Sequence, residues 1–188
     1  QIGQFLEALR ERDLLEKSLL IVTADHGDAF GEHGYYEHPR HLHDELTHVP
    51  LLVRQPDREN KTIETSVSTL DIAGTIERMV GSEADFSLLD ATTHETKTDR
   101  RVFMQARGEA QKNYVRRYAV RSAGEAAFCE RDTETGSVNF TDVTTPDLRS
   151  DLEAYVDERV AVENGKVEGE TEQDEVGEEI EQRLEALG

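Results

Sequence analysis

The chain has 188 residues, enough for one domain of ordinary size or for a domain with an extension. Its 41 acidic residues face 21 basic ones, a formal net charge of -20, which argues against nucleic acid and anionic membranes as partners because both reward clustered Lys and Arg. Only five basic residues are Lys, and dense carboxylates with few lysines resemble the surface of a salt-adapted protein, where screening weakens their mutual repulsion.

The first element expected is an amphipathic helix over 1–16, with Ile2, Phe5, Leu6, Leu9 and Leu14 near the 3.6 period. The sequence opens inside this helix and without Met, so it is expected to be a piece of a longer protein. "SLLIVTA" (18–24) reads as a short strand buried on both faces, as in an α/β unit. A loop rich in imidazole follows. Residues 21–53 hold six of the seven histidines: His26, His33, His38, His41, His43 and His48. "VPLLVR" (49–54) reads as a second buried strand, "QPDRENKT" as a polar turn, and 68–79 as a helix with Ser68 or Thr69 as N-cap, Asp71 in the first turn and Gly81 beyond its end.

Residues 82–100 carry little periodicity and read as a loop. From 101 to 142, "RVFMQA", "YVRRYAVRS", "AAFCERD" and "SVNFTDV" read as strands of a small antiparallel sheet, with a hairpin at "ERDTETGSV". A helix over 145–163 is marked by Thr145 as N-cap and Pro146 at its first position. Residues 164–182 are acidic and read as a solvated segment, before a last amphipathic helix. The domains expected are therefore 1–81, an α/β part with the histidine-rich loop; 82–100, a loop; 101–163, sheet plus helix; and 164–188, acidic segment and helix. No apolar run approaches the ~20 residues that span a bilayer. Cys129, the only cysteine, forms no intrachain disulfide, which suits a reducing compartment such as the cytoplasm but leaves location and oligomeric state open.

Asp25 and His26 stand where a strand ends, the edge at which open α/β sheets bind ligands. Adjacent carboxylate and imidazole can turn to one divalent cation, and Gly27 lets the backbone turn sharply or approach a ligand. Two donors alone equally suit a capped loop with a hydrogen-bonded histidine. The spacing from His43 to His48, "HDELTH", is one residue too long for the H-E-x-x-H zinc motif.

The block from Ser18 to Arg54 resembles the sulfatase family of the alkaline phosphatase superfamily. The matching motifs are Thr23-Ala24-Asp25-His26-Gly27, Gly31-Glu32-His33-Gly34, His38, Asp44-Glu45 and Val49-Pro50-Leu51. "DIAGTIERMVG" resembles the family's D-[IL]-A-P-T helix with Gly74 in place of Pro, "YAVRS" its carboxy-terminal strand, and "RLEALG" a common family ending. The resemblance implies a partial α/β/α sandwich followed by a small antiparallel subdomain. It implies a divalent metal at Asp25 and His26, usually Ca2+ and in some relatives Mg2+ or Mn2+. His38 occupies the position of a basic residue, often Lys, that contacts the sulfate ester, and His33 supports the pocket or the loop. His41, His43 and His48 have structural readings. The family's formylglycine nucleophile, made from Cys or Ser in C/S-x-P-x-R, is absent from these 188 residues and is expected upstream, so the chain alone is expected to be inactive. Cys129, in "FCERDT", reads as an ordinary half-buried thiol. Two alternatives stay open: a phosphodiesterase, phosphonate hydrolase or phosphatase of the same superfamily, and a non-catalytic truncated piece.

Overall fold

The computed structural model describes residues 1–56, 61–81, 87–89 and 100–165. Half of the expected turn at 55–62 and most of the loop at 82–100 and of the acidic segment with its terminal helix lie outside them.

Helix α1 (Ile2–Glu11) stops earlier than its apolar period implies. Asp13 adopts a left-handed φ of 54°. Asp13 N–H donates to the Arg10 carbonyl and Leu14 N–H to the Leu9 carbonyl, both at 3.0 Å. This is a Schellman ending with Asp where Gly is usual, so the sequence carries no glycine to mark it. A 3-10 turn (Leu15–Lys17) leads into β1 (Leu20–Val22), which pairs antiparallel with β4 (Leu52–Arg54). Between them lie the hairpin strands β2 (Ala29–Phe30) and β3 (Tyr36–Glu37), then the single-turn helix α2 (Asp44–Thr47).

The α/β class holds, with helices and antiparallel sheet in one chain. The burial expected of the first two strands does not. β1 is half-buried and β4 is largely exposed, with Leu52 at 62%. The reason is geometric: among the described residues each strand has one hydrogen-bonded neighbour, and no helix among them packs extensively on the pair.

Helix α3 (Asp71–Met79) begins after a reciprocal cap: Ser68 N–H donates to Asp71 Oδ2 at 2.6 Å, and Leu70 N–H donates to Ser68 Oγ at 3.2 Å. Asp71 is buried and takes both guanidinium nitrogens of Arg100, at 2.7 and 2.8 Å.

The core lies in the carboxy-terminal half. Strands β5 (Val102–Arg107), β6 (Val115–Ser122), β7 (Glu125–Asp132) and β8 (Val138–Thr141) form an antiparallel sheet in sequence order. Helix α4 (Pro146–Glu163) begins at Thr145, whose Oγ1 accepts from Leu148 N–H at 3.4 Å. Leu148, Leu152 and Val156 recur at helical spacing and pack on Tyr118, Val120, Ala127 and Cys129. Arg101 Nε ties the sheet to this helix through Asp151, at 2.7 Å. Cys129 is buried rather than half-buried, and that burial pushes its thiol up to about 12, so it stays protonated and unreactive.

Candidate functional site

The site loop leaves β1 and passes Asp25 and His26 before a close backbone contact at Gly27. Gly27 N–H donates to the Leu46 carbonyl at 3.0 Å. A Cβ at this position would lie 2.0 Å from the Glu45 carbonyl oxygen. The glycine is therefore needed here because the α2 backbone presses on it.

Asp25 is solvent-exposed and its carboxylate lies 3.8 Å from His26 Nε2. The His26 backbone N–H donates to Asp25 Oδ1 at 3.0 Å, and that hydrogen bond first, with the imidazole charge behind it, holds the carboxyl below its ordinary range. His26 Nδ1 sits 2.9 Å from the Gly27 carbonyl oxygen. A carbonyl only accepts, so Nδ1 carries the proton and the Nε2 lone pair faces outward. The same contact, followed by Asp25, raises the imidazole pKa.

Gly31-Glu32-His33-Gly34 makes the tight turn between β2 and β3. Gly31 has φ 117°, a conformation that favours glycine, and His33 takes a left-handed φ of 52°. Glu32 Oε2 accepts from the Phe30 N–H at 2.5 Å and fixes this turn. An open cleft of about 460 Å3 lies along the hairpin, lined by Asp28, Ala29, Phe30, Tyr36, Glu37 and His38.

The histidines separate into two groups. His26 and His38 approach with ring centroids 4.7 Å apart, and His38 Nδ1 lies 3.3 Å from Asp28 Oδ1. His33, His43 and His41 stack in that order, with centroids 3.9 and 5.4 Å apart, and Tyr35 caps the His41 end at 4.4 Å. His33 Nε2 lies 3.9 Å from Glu45 Oε1, a buried oxygen without a hydrogen-bond donor among the described residues, and His41 Nε2 lies 3.7 Å from Glu109. Burial first lowers the pKa of both His41 and His43; the Arg117 charge adds to it at His41, and His33 adds to it at His43. His48 contributes its backbone, its N–H closing α2 on the Asp44 carbonyl at 2.8 Å.

Motif reading missed the arginines that hold the loop. Arg117, on β6, donates from Nη1 to the Arg40 carbonyl at 2.7 Å and from Nε to Glu130 at 2.6 Å. Arg121 reaches the Leu42 carbonyl at 3.3 Å and pairs with Asp44. Arg40 reaches back to the Gly108 carbonyl at 3.2 Å. Arg117 and Arg121 are four apart on one strand and so share a face, the one signal that could have marked them.

An imidazole- and carboxylate-rich loop thus leaves a strand end on an α/β frame, and those side chains are of the types that can ligate a cation or contact an anion. The comparisons point to a family. Residues 1–82 match the Sulfatase family model. A 76-residue stretch is 33% identical to the uncharacterized sulfatase YidJ of Escherichia coli, covering 40% of this chain and 15% of the relative. Arylsulfatase K of Gallus gallus is 34% identical over 76 residues, 40% of this chain and 14% of its own length. Human iduronate 2-sulfatase is 40% identical over 58 residues, 31% of this chain and 10% of its own. These matches support the sulfatase family, a family of hydrolases, for the amino-terminal part. The matched part of this chain spans less than a fifth of each of these relatives.

Proposed function

We propose that the chain is part of a metal-dependent sulfuric-ester hydrolase and carries one wall of its active site. Supporting this reading above all is the loop from Thr23 to Leu51, which lies inside the family match over residues 1–82. Asp25 and His26 would hold a divalent cation, Ca2+ before Mg2+ or Mn2+. The outward Nε2 of His26 lies 3.8 Å from Asp25 Oδ2, which fits two neighbouring positions of one shell. Ca2+ takes six to eight ligands, mostly oxygen, so the pair is a partial shell and binds it weakly alone. When bound, the cation neutralises charge on the ester oxygens.

His38, exposed at the cleft, is the residue assigned to the sulfate and leaving-group oxygens. An imidazole matches the charge of lysine only when protonated, so acid should favour its contact with the anion. His33 orders the loop through its stack with His43 and its approach to Glu45. A formylglycine nucleophile is assigned to the amino-terminal part of the family fold, and the 188 residues alone are read as inactive. The acidic surface is read as salt-adapted, so molar KCl should raise the unfolding temperature, because screening at that concentration shortens the Debye length to ~3 Å.

The test has two arms. Ca2+ titration of the chain should show weak binding that Asp25→Asn reduces further. Assay of aryl sulfate should give no turnover with the 188 residues. Metal-dependent hydrolysis by this chain alone would sink the partial-site reading. Hydrolysis of aryl phosphates in preference to sulfates by the whole protein would move it to the phosphoryl-transfer branch of the superfamily.

A further inference from the structure

The hairpin between β2 and β3 places Asp28 immediately before Ala29 and His38 immediately after Glu37, and Ala29 pairs with Glu37. Asp28 and His38 are therefore the next cross-strand pair at the open end of the hairpin, where side chains meet. His26, two residues upstream of Asp28, reaches the same point. One ligand atom from each of His26, Asp28 and His38 lies within 4.8 Å of the others.

We propose that these three side chains form a site for a borderline divalent transition-metal ion, Zn2+ as the model case, which overlaps the Ca2+ pair of Asp25 and His26 at His26 and competes with it. Two imidazoles and one carboxylate are a nitrogen-rich donor set, which suits Zn2+ and its neighbours and not oxygen-seeking Ca2+ or Mg2+. Ligand bonds of about 2.0–2.1 Å in a tetrahedron put donor atoms about 3.4 Å apart. The His38 Nδ1 to Asp28 Oδ1 separation, 3.3 Å, already meets that spacing. All three side chains are exposed and can turn by the remaining distance without moving the core.

Tautomers point the same way. The Gly27 carbonyl holds the proton on His26 Nδ1 and leaves Nε2 as the donor atom, the second-layer arrangement that orients metal-bound histidines. At His38, Nδ1 is the nitrogen nearest Asp28, and it would bind the metal with the ring proton on Nε2. Three donors leave a fourth position open for water or an anion at the mouth of the hairpin cleft. The inference stands on this geometry and does not rest on the sulfatase reading. The two cations share His26, so a transition metal here would exclude Ca2+ and would occupy the ring assigned to the ester.

Titration of the 188-residue chain with Zn2+, followed by calorimetry and by the ring 15N shifts of the histidines, tests the site. The expected result is one saturable Zn2+ in the micromolar range, with shifts at His26 and His38. Asp28→Asn and His38→Gln should each weaken it about tenfold or more, and Asp25→Asn should leave it within about twofold while weakening Ca2+. Zinc binding that survives both Asp28→Asn and His38→Gln overturns the proposal, as does the absence of saturable binding. Loss of Ca2+ binding alone bears only on the sulfatase site.

Discussion

The two halves of the described chain differ in where their apolar residues go. In the half from Val102 to Glu163, one face of a four-stranded sheet and one stripe of α4 close on each other, and Tyr118, Val120, Ala127, Leu148 and Leu152 are essentially removed from water. In the half from Ile2 to Met79, α1 buries no residue, Ile2, Phe5 and Leu52 are more than half exposed, and Phe30 and Leu70 are 80% exposed. The amino-terminal half carries the family match and the histidine loop; the carboxy-terminal half carries the core. The candidate site buries Ala29, Leu42 and Leu46 of its own loop and is tied by polar links to the stable neighbour. Arg117 and Arg121 grip the loop by its carbonyls at Arg40 and Leu42.

The largest effects should divide along this line. Leu152 is fully buried, so Leu152→Ala should cost about 3–5 kcal/mol, the transfer of its methyls plus the cavity left behind. Phe5 is larger but 54% exposed, and Phe5→Ala should stay within about 0.5 kcal/mol. Urea denaturation of both variants checks the contrast. Equal losses would mean that α1 is covered in solution and that the two halves are alike.

Asp71 tests a link outside the core. Its carboxylate is buried against a guanidinium that is itself partly exposed. Asp71→Ala takes the bidentate carboxylate from Arg100, which keeps the Ser66 carbonyl, and removes the acceptor of the Ser68 N–H, so a loss of about 2–3 kcal/mol is expected, below the range for fully buried pairs because solvent screens Arg100. The double variant Asp71→Ala/Arg100→Ala should recover part of it, and no recovery would assign the loss to the cap.

Gly27→Ala probes the loop. The new methyl would meet the Glu45 carbonyl, a backbone atom that moves only with α2. About 1–3 kcal/mol of strain is expected, together with weaker Ca2+ binding as His26 loses its register. Unchanged stability and binding would show that α2 moves freely and does not position the site.

Much of this was legible from residue patterns. The four strands, the hairpin and the Thr145–Pro146 start of α4 follow from period-two alternation and cap chemistry, which are local. What failed to show was non-local. The end of α1 rests on Asp13 in a conformation usually given to glycine. The exposure of β4 depends on which surfaces pack against it, which its own sequence does not state. In the loop, pattern matching ranked the histidines one at a time. Their division into a His26–Asp28–His38 cluster and a His33–His43–His41 stack depends on a two-residue hairpin register and on two arginines some 75–80 positions away.

The smallest effect expected is on pH, and it joins the two halves. His41 and His43 lie in the stack, facing Glu109, Glu130 and Arg117 from the sheet side, and His33, Glu45 and Asp142 around His43. Both are held below the ordinary imidazole value of 6.5, burial being the first cause. Below 6.5 the unfolded chain takes up protons that the folded chain refuses, so stability should fall as pH drops through the depressed folded values and should level off beneath them. His26 is shifted upward and works in the opposite sense, but it is exposed and screened, so the stack should dominate. Asp25 and Glu32 are shifted downward, and their loss belongs to more acid conditions, below the carboxylate range. Denaturation midpoints across the ordinary histidine range should therefore decline in the wild type. The decline should flatten in His41→Gln/His43→Gln. An equally steep decline in that double variant would place the acid sensitivity elsewhere and leave the stack as packing alone.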